Sequence, residues 1–166
     1  WVEYRGAGVK FEHPGDWTVW NADEKIRVKK KVVPWRRRWA ITVPGGNGPG
    51  IYVDDTGSVR IFEYIDGEEK RPLEEIYPSQ KWRETRLTNA PKKVTLKNSR
   101  CIAYHMETQE GEHILARIRA HCYRDNGNFV EVMADLGRYR ESGKPDAQSL
   151  RNALIYERVL SSIEFP

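Results

Sequence analysis

The sequence predicts an α+β fold, a central antiparallel sheet with helices on both faces, and three observations carry that expectation. Short runs in which apolar and polar residues alternate recur along the chain, bounded by Gly, Pro and Asn, as half-buried strands require. Helical spacing appears in two places only, 72–87 and 146–160. Strands and helices do not alternate at the spacing of βαβ units, which excludes a doubly wound parallel sheet. A length of 166 residues suits one domain around one core, spanning 1–166, with a basic and glycine-rich insertion at about 25–50.

The elements follow in chain order. Val9 and Phe11 alternate with Lys10 and Glu12, Pro14-Gly-Asp16 reverses the chain, and Trp17-Thr-Val-Trp20 reads as the returning strand of an amino-terminal hairpin. From Ile26 to Val43 the pattern stays β-like, but Pro34 and the charge clusters interrupt it, so ragged edge strands or a long loop are expected. Pro44 to Gly50 holds four Gly and two Pro and reads as a loop. Val59 to Ile65 is the clearest strand of the first half, with apolar residues on both faces.

Leu73, Ile76 and Tyr77, then Trp82, give Pro72–Leu87 the spacing of a helix broken near Pro78. Three runs then read as a meander, Cys101 to Thr108, Ile114 to Tyr123 and Phe129 to Leu136, separated by reversals at Glu110-Gly-Glu112 and Asp125-Asn-Gly127. Asp146 is a good N-cap for a final helix with Ala147, Leu150, Ala153 and Leu154 on one stripe. Residues 161–165 return to alternation.

Two segments carry a family resemblance. Gly8-Val-Lys-Phe-Glu-His-Pro-Gly-Asp-Trp17 resembles the opening of the PsbP-like superfamily, which includes the PsbP extrinsic subunit of photosystem II, DcrB-type envelope lipoproteins and the Ran-release factor fold. Val159-Leu-Ser-Ser-Ile-Glu-Phe165 resembles its closing signature, and Asn98-Ser-Arg-Cys-Ile-Ala-Tyr104 its strand after the central helix. The stretch from Lys25 to Gly50 has no counterpart there. The resemblance implies an α/β/α sandwich and a non-catalytic binding or assembly domain that docks on a protein or membrane complex, bacterial and extracytoplasmic, whether periplasmic, lipid-anchored or secreted. A start at Trp1 is expected of a mature or trimmed chain, with any signal peptide or lipid anchor upstream.

Charge gives the sharpest candidate site. The formal net charge is +4, yet Lys25 to Arg38 holds eight basic residues and no acid, so the rest of the chain is net acidic. Lys29, Lys30 and Lys31, then Arg36, Arg37 and Arg38, flank an apolar segment, with Trp35 and Trp39 interleaved. Cations of this kind neutralise phosphates or acidic protein surfaces, while Trp stacks on bases or sits at a lipid interface. The alternative reading is a solvated edge whose tryptophans belong to the core. An anionic protein or lipid surface fits better than nucleic acid, which needs more than a charge run.

Chemistry is otherwise thinly represented. Matching the apolar positions Ile102, Tyr104 and Met106 to Ala116, Ile118 and Ala120 sets Cys101 opposite His121 and turns Cys122 to the other face, so two free thiols are expected. No thiol-enzyme signature surrounds Cys101. His13, His105, His113 and His121 make no metal-ligand spacing, Asp54-Asp-Thr-Gly57 lacks the calcium-loop pattern, and Gly45-Gly-Asn-Gly48 lacks the Lys of a phosphate loop. No cofactor, no catalytic residue and no metal site is therefore expected, and no apolar run approaches the roughly 20 residues of a spanning helix.

Overall fold

Ala7 and Gly8 both take left-handed backbone, with φ of 50° and 81°, and this two-residue turn folds β1 (Val2–Gly6) back on β2 (Val9–His13). The computed structural model describes residues 1–28, 30–43, 58–64, 73, 87, 89–140 and 147–165, with backbone alone at 24, 26–28, 33–35, 110, 138–140 and 148–149. Seven further strands form a second sheet: β3 (Thr18–Val28), β4 (Lys31–Thr42), β5 (Ser58–Tyr64), β6 (Lys92–Val94), β7 (Cys101–Glu110), β8 (His113–Tyr123) and β9 (Phe129–Arg140). Their order is β3-β4-β5-β9-β8-β7-β6, and every neighbouring pair is antiparallel. The chain closes with α1 (Ala147–Ser162).

Alternation along these strands builds two buried faces. On the first, Trp39, Ile41, Val59, Ile61, Ala120, Val130 and Val132 pack beneath Val9 and Phe11 of the small hairpin and Tyr156, Val159 and Leu160 of α1. The Trp39 indole N–H donates to the Tyr4 hydroxyl at 3.2 Å, which pins the hairpin to the sheet. Asn98 donates to the carbonyl oxygens of Leu160 and Ile163 at 3.0 and 3.2 Å, satisfying groups that a helix C-terminus leaves without intrahelical partners. Lys10 and Glu164 exchange both backbone hydrogen bonds at 2.9 Å, so the alternation after the helix ends as an antiparallel bridge to β2.

The second face is built differently. Its rows run Arg38, Phe62, Glu131, His121; then Ala40, Arg60, Met133, Arg119; then Thr42, Ser58, Asp135, Arg117. At its β7 end Tyr104 and Met106 pack with the buried Leu73.

Several expectations are corrected by these arrangements. The fold is mainly antiparallel β, with nine strands and one helix among the described residues, and not an α+β sheet with helices on both faces. The expected middle helix at 72–87 and the glycine loop at 44–50 lie outside the described residues apart from Leu73 and Leu87. The strand at Trp17–Trp20 does not return along β2. It enters the large sheet as β3, while β2 pairs with β1. Of the two alternatives for 26–43, the edge strands are found and not the long loop: β3 and β4 form one long hairpin, with β3 at the edge of the sheet and a register shift between Glu24 and Lys25.

Pro34 is tolerated there for a local reason. Arg36 opposes Glu24 and Pro34 opposes Lys25, so Trp35 is an extra residue at a bulge, and β4 acquires its second neighbour, β5, only from Arg36 onward. A proline missing its N–H costs little at such an edge. In α1 the buried stripe is Asn152, Tyr156, Val159 and Leu160, continuing to Ile163, whereas Leu150 and Leu154 of the expected stripe are exposed.

Candidate anionic-partner site

The long β3–β4 hairpin outruns the rest of its sheet. β5 pairs with Arg36–Thr42 only, so residues 25–28 and 31–34 continue as a two-stranded arm with no third strand among the described residues. At about 3.3 Å per residue each leg extends roughly 13 Å past the bulge. Its ten residues, 25–34, include five bases and no acid. Lys30 lies in the turn with φ 67°, a left-handed conformation that ordinarily selects Gly or Asn.

The eight residues singled out by sequence do not form one surface. Lys30 and Lys31 are exposed at the tip, Lys25 is exposed one leg away, and among the described residues none of the three makes an ion pair. Lys29 lies outside the described residues, and Trp35 is placed in β4 by backbone only. At the base the arginines are held. Arg37 Nε donates to Asp23 Oδ1 at 3.0 Å and its guanidinium reaches the Ala7 carbonyl oxygen at 3.3 Å and Glu63 at 3.8 Å. Arg36 lies over the Phe62 ring at 4.6 Å, and Arg38 is half-buried on the second face. Trp39 is fully buried core, so it leaves the candidate surface.

Sequence reading missed the second face, where carboxylates sit among arginines. Asp135 accepts from Arg117 Nε at 2.7 Å, from Ser58 Oγ at 3.1 Å and from Arg60. Burial pushes its carboxyl up, but Arg60 and Arg117 together outweigh that and hold it below the usual aspartate range. Glu131, almost wholly buried, accepts from Arg119 at 3.0 Å and from the Tyr64 hydroxyl at 3.3 Å, with His121 Nε2 4.0 Å away. The His121 ring stacks on Phe129 at 4.0 Å between centroids. The only sequence signal was the period-2 spacing of Arg117, Arg119 and His121 against Glu131, Met133 and Asp135.

The cysteines are also rearranged. Cys101 opposes Cys122, not His121, and the two form a disulfide across β7 and β8 on the first face. His121 opposes Ile102 on the second face, so no Cys101–His121 pair exists. The expectation of two free thiols is thereby overturned. Among the described residues, no three His, Cys, Asp or Glu side chains are placed to hold a metal ion, and no helix is long and apolar enough to cross a membrane.

These features define an antiparallel-sheet domain with a projecting basic arm. No family model, curated protein or solved structure matches the chain. Nothing identifies it with the PsbP-like superfamily, and the mainly β architecture replaces the α+β description that the resemblance implied.

Proposed function

We propose that this is a non-catalytic binding domain that docks on an anionic surface of a protein or membrane complex through the β3–β4 arm. The observation that carries this reading is the division of the basic segment by the fold: Arg37 is consumed at the base by Asp23 and Glu63, while Lys25, Lys30 and Lys31 are displayed on the arm. Charge concentrated on a narrow projection meets a partner before the net-acidic remainder of the chain does, and such attraction is screened by salt. The Cys101–Cys122 disulfide supports an extracytoplasmic setting, since cross-links of this kind persist in oxidising compartments.

The test is retention on immobilised heparin and on phosphatidylglycerol vesicles across a salt series. Changing Lys25, Lys30 and Lys31 to Gln should abolish retention and leave the fold intact, whereas Arg37→Gln should disturb the arm's base more than its binding. Retention of the triple variant at low salt would move the site elsewhere. Tighter retention on duplex DNA than on either anionic surface would favour the nucleic-acid reading, for which a basic two-stranded ribbon is a suitable shape.

A further inference from the structure

At the end of the large sheet remote from β3, three independent features converge on β6. The strand pairs with β7 alone, Lys92 opposite His105 and Val94 opposite Ala103, and its outer edge faces no other strand among the described residues. The direction of its free groups follows from the ladder. Tyr123 N donates to the Arg100 carbonyl oxygen, so Cys101 and Cys122 are a non-hydrogen-bonded pair, and Cys101, Ala103 and His105 aim their backbone groups at β6. Lys93, opposite Tyr104, therefore turns its N–H and C=O outward.

Beside that edge lies a mainly apolar groove of about 370 Å3, lined by Val94 and Leu96, by Ile118 of β8, and by Leu150, Leu154 and Glu157 of α1. Leu150 and Leu154 are 60% and 68% exposed, an unusual placement for two leucines one helical turn apart. The third feature is charge. Residues 91–100 contain Lys92, Lys93, Lys97 and Arg100 and no acid.

We propose that β6 and this groove form a second docking site, distinct from the basic arm, for an extended peptide of a partner protein with apolar side chains at alternate positions and acidic flanks. The peptide pairs with the outward groups of Lys93 as an added strand. An alternate side chain turns into the groove between Val94 and Leu154, and its acidic flanks meet Lys92, Lys93 and Lys97. Main-chain pairing supplies affinity in this mode and the pocket supplies sequence preference. An acidic partner is favoured over a second copy of the chain, because two such edges would bring lysines against lysines.

A random peptide library displayed and selected against the folded chain tests this. The selected sequences should alternate apolar residues and carry Asp or Glu at their ends. Leu150→Asn and Leu154→Asn, both at exposed positions, should weaken their binding. Lys93→Pro should weaken it by up to about tenfold beyond Lys93→Gln, because proline deletes the outward donor and glutamine removes only the charge. Should Lys93→Pro perturb the fold, peptides N-methylated at alternate positions read the same bonds from the other partner. Neither leucine variant, which leaves the charge unchanged, should alter retention on heparin or vesicles, which belongs to the arm. Absence of selected binders, basic rather than acidic flanks, indifference to Lys93→Pro and to N-methylation, or a dimer dissolved by Leu154→Asn would each overturn the proposal.

Discussion

Asn152 donates its side-chain amide to the carbonyl oxygen of Leu136 at 2.9 Å, and this bond joins α1 to an irregularity in the sheet. Ala116 opposes Gly137 and Arg117 opposes Asp135, so Leu136 is an extra residue in β9 with no ladder partner for its carbonyl among the described residues. A buried asparagine on the packed face of a helix is explained by that orphan. Asn152→Leu should leave the carbonyl buried without its partner and cost about 1–3 kcal/mol in urea unfolding. An unchanged midpoint would show that the bulge is satisfied in another way.

The disulfide yields a second expectation, opposite to the one read from sequence. Thiol counting on the denatured, unreduced chain should find no free thiols, and reduction should expose two. The link spans a sequence separation of 21, and for a loop of that size its loss should lower stability by about 3 kcal/mol. Two reactive thiols before reduction would reverse the pairing.

Stability should fall in acid through Asp135. Its carboxyl is held below the ordinary value by Arg60 and Arg117 against the opposing effect of burial, so the unfolded chain takes up the proton more readily than the folded one. The stabilisation is complete above the unfolded value of about 3.9 and is lost as pH falls through the folded value. Asp135→Asn should destabilise the domain near neutrality, where it removes the carboxylate that Arg60 and Arg117 share, and should flatten the acid limb of a stability–pH curve. An acid limb equally steep in the variant would place the titration elsewhere.

The tryptophans separate core from surface. Trp39 is fully buried with its N–H on Tyr4, and Trp39→Ala should cost about 3–5 kcal/mol. Trp20, on the same hairpin but 39% exposed, should cost far less when truncated, about 0.5 kcal/mol or a little more. Equal losses in equilibrium unfolding would contradict the register of β3 and β4.

What the sequence made legible followed from local chemistry, and what it hid depended on which faces are covered. The reversals at Gly111 and Gly127 carry φ of 62° and 83°, and the β7–β8–β9 meander lies where its turns require. The register failed because apolar residues line both faces of β7: Ile102, Tyr104 and Met106 look toward Leu73 and Leu87, while Ala103 meets Ala120 beneath the helix. Alternation fixes register only where one face is wet. The α1 stripe was misread for a related reason, since Leu150 and Leu154 outweigh Asn152 in hydrophobicity but lie beside the groove, and the bulge that requires Asn152 is not visible in spacing. In the basic segment the run of charge was evident. Its division into a displayed tip and an anchored base depends on where β5 stops pairing, which is a tertiary fact.

Lys30 sets stability against binding at the tip of the arm. A lysine at φ 67° bears a steric cost of about 1–2 kcal/mol that glycine escapes. Lys30→Gly should therefore leave the hairpin unharmed or raise its melting temperature, while removing one of the exposed charges on which docking is proposed to depend. Lys30→Asn, which tolerates the same backbone, separates the two effects by removing charge with less change in chain entropy. If the arm is the docking element, both variants should elute from heparin at lower salt than the parent, although neither is less stable. A Lys30→Gly protein that is more stable and binds as tightly as the parent would show that the tip charge plays no part in docking and would leave the strained lysine unexplained.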